Sequence, residues 1–378
     1  MYIKKRFRIF LGLLSVSLVI GAGCNTQVSD SREGVNTEPI KIGFIGPLTG
    51  TAASLGENMR TAVEIARDEV NAEGGINGRA LQIIFEDGQC GAEGSISAGN
   101  KLLSIDKVDI LMPICSGEVL GLAPIAEAKK RVLLSPVATS PDITSAGDYI
   151  FRLMPSDHFQ GKFAAQYVYD VLGVKKVAVL FEQIDATVGV KNVFTENFLK
   201  IGGKVVIEES VLTGETDMRS SIVKIKNSGA EFVYFASFPD VGMVGLKQMK
   251  ELDVGLPIFG VDTFDDANIP SMLGSSSDGV KYSVAANQDL PEVFVDKMSK
   301  RTSGEEIAVY SPRVYDAVKI LASIMTRVGT DNEKIKEELY ALRDYQGIAD
   351  IYTLDENGDV AIANYKVKQY QGGKIIEL

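Results

Sequence analysis

Histidine occurs once in this 378-residue chain, at His158, and cysteine three times, at Cys24, Cys90 and Cys115. A single histidine leaves one possible base for a serine or cysteine nucleophile, and its setting, Pro155-Ser156-Asp157-His158-Phe159, reads as the start of a helix with Ser156 or Asp157 as its cap. No His/Cys cluster has zinc spacing, and no GxxxxGK[ST] phosphate loop is present. The pairs Asp265-Asp266 and Glu305-Glu306 read as solvated faces. The stretch Asp355-Glu356-Asn357-Gly358-Asp359 lacks the closing glutamate of a calcium loop. The residues thus point away from an enzyme and call for no metal or cofactor. No short repeat is visible, which argues against solenoids. The apolar run from Ile9 to Ile20 is too short for a good membrane span.

What is present at the N-terminus is an export signal. Lys4, Lys5, Arg6 and Arg8 precede that apolar run, and Gly21-Ala22-Gly23 then leads into Cys24. Small residues ending at a cysteine resemble the bacterial lipobox; the resemblance implies cleavage before Cys24, lipidation of Cys24 and tethering to a membrane. An ordinary secretory signal is the alternative. Loss of residues 1–23 moves the net charge from −11 to −15, because four cations and no acids leave. So acidic a chain argues against nucleic acid and against electrostatic attachment to an anionic membrane. Residues 25–39 are polar and aperiodic and read as a tether. Cys90 and Cys115 then remain as a pair, each just beyond a predicted strand. An oxidising compartment favours a disulfide between them; two separate buried thiols are the alternative.

From residue 40 onward strand and helix patterns alternate. Residues 40–45 are an apolar run, and a Gly/Pro/Thr turn follows. Met59, Val63, Ala66 and Val70 then recur at helical spacing until Glu73-Gly74-Gly75. Further strands are predicted at 81–86, 109–114, 132–135 and 149–153, and a second set at 177–181, 205–209, 232–236 and 258–261, with helices between. The alternation predicts an α/β fold of two doubly wound parallel-sheet lobes. The last hundred residues supply a strand at 280–285, helices at 311–326 and 334–342, and antiparallel strands in 352–377 with a turn at 356–359. These are too few for a third domain. The expected organisation is therefore leader 1–23, tether 24–39, one lobe from 40–156 with 286–350, and a second from 157–285 with 351–378, joined by a multi-strand hinge.

Ligands of open α/β sheets bind beyond the carboxyl ends of the strands. One such loop, 114–118, offers the Ser116 hydroxyl and backbone N–H groups at a helix start, suited to a carboxylate, although Glu118 brings an acid close to that site. The next, Ser135-Pro136-Val137-Ala138-Thr139-Ser140-Pro141, again offers hydroxyls. In the second lobe Asp262 follows an apolar strand and is placed to pair with an ammonium, with Phe238 and Phe264 as candidate walls. Helix capping by Asp262 or Asp265 competes with that role.

With Gly46-Pro47-Leu48-Thr49-Gly50 and Gly56, residues 71–78 (NAEGGING) and residues 135–141 (SPVATSP), the chain resembles the type I periplasmic binding proteins of branched-chain amino-acid ABC transporters from about Lys41 onward. The resemblance implies capture of a small solute between two lobes, delivery to permease subunits, and a first-lobe disulfide at Cys90 and Cys115. It places Ser116, the Val137 backbone and Thr139 on the ligand's carboxylate and amine, Asp262 on its ammonium, and Phe238 in a wall. Leu55 and Ala186 depart from it, standing where aromatic residues are usual. They enlarge the pocket or redirect specificity. An amino acid is the first expectation for the ligand. The alternatives are an aromatic carboxylate or an amide or urea compound in the same fold, or a sensory module that presents its ligand to a receptor.

Overall fold

The computed structural model describes residues 37–378 apart from Thr51 and Asn287, so the expected leader, the Cys24 lipidation site and most of the tether lie outside the described residues. Apolar runs build the first sheet: β1 (Ile40–Gly46), β2 (Leu81–Asp87), β3 (Ile110–Pro113), β4 (Leu133–Ser135) and β5 (Ile150–Arg152), in the order β2-β1-β3-β4-β5 with every pair parallel. β3, β4 and β5 are buried at every position, because helices cover both faces of the sheet. Ile42 stands opposite Ile83 on one side and Ile110 on the other.

The second sheet contains β6 (Lys176–Glu182), β7 (Lys204–Val211), β8 (Phe232–Ala236), β9 (Ile258–Gly260) and β10 (Lys281–Ala285). A short ladder of β11 (Tyr345–Gln346) and β12 (Ile351–Tyr352) follows, and then β13 (Tyr365–Gln371) and β14 (Lys374–Glu377) extend the sheet to the order β7-β6-β8-β9-β10-β13-β14. β13 and β14 are antiparallel. Their hairpin turns at Gly372-Gly373; the predicted turn at 356–359 closes only an isolated bridge between Leu354 and Val360. The helix Glu292–Arg301 was not anticipated; its Phe294 and Met298 pack on Ala62 and Ile65 of the helix Ala53–Ala72.

The lobe boundary near residue 351 differs from the sequence expectation. Tyr352, Leu354 and Val360 belong to the core of the first sheet, and the chain joins the second sheet only at Tyr365. The cause is Arg152 at the end of β5, which grips Asp359 and keeps residues 355–359 on the first lobe. Among the described residues no helix is long and apolar enough to cross a membrane. In both sheets the strand order reverses beside the first strand, between β1 and β3 and between β6 and β8, and that reversal opens a crevice at the carboxyl edge.

Candidate functional site

Loops leaving the carboxyl ends of both sheets enclose a cavity of about 740 Å³, its mouth included. The structure gathers every expected ligand residue there: Leu55, Ser116, Val137 and Thr139 from the first lobe, Ala186, Phe238 and Asp262 from the second. The lobes meet across it. Gly189 packs on Pro141, and a Cβ at Gly117 would stand 2.8 Å from an Asp185 carboxylate oxygen and 2.9 Å from the Cys90 carbonyl, so only glycine admits this approach. Gly56 has a similar duty: a Cβ there would stand 1.9 Å from the Pro47 carbonyl oxygen, where the loop after β1 lies on its helix.

The first-lobe wall is rigid. Cys90 and Cys115 form a disulfide, as the cysteine arithmetic anticipated. Ser116 begins the helix Ser116–Lys129, and its Oγ accepts from the backbone N–H groups of Thr139 (3.2 Å) and Ser140 (3.1 Å). Those bonds occupy the oxygen's acceptor positions and leave its O–H to donate. The Thr139 N–H is thereby committed to Ser116 rather than to a ligand. Fully buried Arg152 fixes the same loop, donating to the carbonyls of Thr139 (3.1 Å) and Ser140 (2.7 Å).

Glu118 turns back beneath the loop. Its carboxylate accepts from the N–H groups of Ile114 (3.1 Å), Cys115 (2.9 Å) and Cys90 (3.1 Å), closing a capping box with Cys115. It is an internal brace that does not line the cavity. Burial nonetheless pushes its pKa up to about 7. Between pH 4.5 and 7 the native state therefore holds a proton that the unfolded chain has released. Stability should fall as pH rises through that window, by up to about 3 kcal/mol from this group. Denaturant titrations of wild type and Glu118→Gln at pH 5 and pH 8 check this: their difference should move in the variant's favour at the higher pH. Cys90, Cys115 and Glu118 are the one group among the described residues close enough for a metal ion. The disulfide consumes both thiolates, so they do not form a metal site.

The second-lobe side supplies buried acid. Asp262 Oδ1 accepts from the Thr263 N–H (3.0 Å) and Oδ2 from the Tyr310 hydroxyl (3.2 Å). Asp262 is the first residue of the short helical turn Asp262–Phe264 and lines the cavity, while the N-cap position falls to Val261 and the C-cap to Asp265. Burial pushes its pKa up to about 6. Asp265 instead pairs with Lys368 (2.7 Å) and does not line the cavity. Phe238 is a wall, its N–H held by Glu182 (2.8 Å), whereas Phe264 is buried in the core edge-on to Phe235 and supplies no wall. His158 is exposed and outside the cavity, as its structural reading requires.

Among the lining residues that escaped the sequence are Asp157 and Tyr310. Ser156 caps the helix Asp157–Gln166, its Oγ accepting the His158 N–H (3.3 Å), and this frees Asp157 to face the cavity. One Asp157 oxygen is hydrogen-bonded by Thr139, while Oδ2 is buried without a partner. Burial first, and then the Asp262 charge, hold Asp157 well above the usual carboxylate range. An acid in the first turn after a strand was the only local hint, and capping explained it equally well. Tyr310 carried no hint at all, since its partner lies 48 residues away. Among the described residues the cavity is lined by Asp157, Asp185 and Asp262 and by no lysine, arginine or histidine.

Comparison with known proteins agrees with this architecture. Residues 39–374 match the family described as "Periplasmic binding protein". The leucine-, isoleucine-, valine-, threonine- and alanine-binding protein of Pseudomonas aeruginosa is 26% identical over 338 residues, covering 88% of this chain and 90% of that protein. The crystal structure of a leucine-binding protein from Thermotoga maritima superposes with a TM-score of 0.82 at 25% identity, over 90% of this chain and 97% of the other. A benzoate-bound solute-binding protein from R. palustris shares the fold, with a TM-score of 0.80 at 21% identity over 90% and 95% of the two chains. With two parallel-sheet lobes around one cleft, and a match running from the first strand into the last, this chain belongs to the periplasmic binding protein family, whose members bind rather than catalyse.

Proposed function

We propose that this chain is a lipid-anchored extracytoplasmic protein that captures an amino acid, or a related amine-bearing solute, and delivers it to an ABC importer. Residues 40–156 with 286–364 form one jaw, and 157–285 with the C-terminal strands from Tyr365 form the other. Cys24 carries the anchor. The observation that supports the ligand class is the charge of the cleft: buried Asp157 and Asp262 line it without a basic side chain. An ammonium satisfies both carboxylates, including the partnerless Asp157 oxygen, where a carboxylate-only ligand would add a third buried negative charge. The ligand's own carboxylate is received by the Ser116 O–H near the start of the helix Ser116–Lys129, beside Thr139, whose hydroxyl serves Asp157. Leucine- and isoleucine-binding relatives support the same class.

Calorimetry of the purified protein across an amino-acid panel tests this. Binding of at least one amino acid is expected; binding of aromatic acids or amides with no amino acid bound would overturn it. The pH profile is a second check. An ammonium favours ionised Asp262, so below about pH 6 binding must expel a proton, and affinity should fall by up to about tenfold per pH unit.

A further inference from the structure

The apolar side of the cavity is one layer of side chains thick. Ala52, Leu55 and Phe238 line the inner cavity, and the same three residues line an outer chamber of about 580 Å³, the open solvent at its mouth included. That chamber is lined by Met243 and Met272 and also by Ser54, Asp240, Asp266 and Asn268, and a shallow groove over Val244 and Leu273 continues it along the second lobe. Met272 is 73% exposed and so contributes little to the core. Methionine is unbranched and polarizable, and it adapts to apolar guests of varied shape. Leu55 sits in the first turn of its helix, half-buried, a small aliphatic side chain where an indole or phenol ring would form a broader partition. Across the cavity, Ala186 leaves the start of the helix Asp185–Lys200 without a covering side chain.

We propose that the solute is an amino acid whose apolar side chain is longer than leucine's, its tail passing between Leu55 and Phe238 into the outer chamber over Met243 and Met272. This rests on amine recognition in the inner cavity. The polar end of the molecule is held as already described, and the tail gains by leaving water along a path that a compact side chain does not reach.

Calorimetry with the straight-chain series 2-aminohexanoic, 2-aminooctanoic and 2-aminodecanoic acid tests the proposal on the full mature protein. Affinity is expected to rise about three- to fourfold for each methylene that becomes buried. Leu55→Trp should abolish the dependence on chain length. Met272→Glu should reduce the gain only for acids long enough to reach the outer chamber. An affinity that levels off or declines beyond the six-carbon acid overturns the outer subsite while leaving amine recognition standing. If no member of the series binds, and no other amino acid does, amine recognition fails and the outer subsite fails with it.

Discussion

Replacing Asp262 with asparagine is expected to weaken amino-acid binding about 30-fold to several-thousand-fold, because removing one partner of a buried, hydrogen-bonded charge pair costs about 2–5 kcal/mol. The same substitution should leave the ligand-free protein equally stable or slightly more stable. In the empty cleft the Asp262 carboxylate is buried beside Asp157 with no cation lining the cavity, and burial already drives it toward its neutral form. An amide of the same size removes that penalty, keeps an oxygen for the Thr263 N–H, and turns its NH2 to donate to the Tyr310 hydroxyl oxygen. The opposite signs separate a binding role from a structural one. Calorimetric titration and thermal melts on the same sample decide the matter; equal affinity in wild type and variant would remove Asp262 from the site.

Arg152→Leu is expected to be the most destabilising single change. The guanidinium is fully buried and donates to both oxygens of Asp359 (2.6 Å each), to the Thr139 and Ser140 carbonyls and to the Thr144 hydroxyl (2.8 Å). Its loss leaves the Asp359 carboxylate uncompensated and strands those acceptors. Breaking a buried pair in this way costs about 3–5 kcal/mol, or roughly 5–15 °C in melting temperature. Affinity should fall too, since the Thr139 loop loses its support and residues 355–359 lose their tie to β5. Scanning calorimetry of Arg152→Leu, Asp359→Leu and the double variant measures the coupling. The double variant should be less damaged than the two single effects summed, because neither charge remains unpaired.

The fold was legible from alternation alone, since each strand and helix is set by short-range periodicity and glycine-rich ends. The failures have specific causes. The turn at 356–359 has good hairpin residues, but Arg152 captures Asp359 and holds that turn against the first lobe, so the hairpin forms at Gly372-Gly373 instead. Phe264 looked like a wall because it follows a strand, yet its ring turns into the core against Phe235. Glu118 looked like an obstacle to anion binding; three backbone N–H groups draw it below the loop.

The sequence by itself determined the two α/β lobes, the pairing of Cys90 with Cys115, and the loops bearing Ser116, Thr139 and Asp262. These depend on residue type and local order. Only the tertiary structure decided that Asp157 and Tyr310 join Asp262 in one cleft, and that Leu55 separates an inner cavity from an outer chamber. Those facts depend on strand order and on packing between residues far apart in the chain, and local pattern carries no record of either.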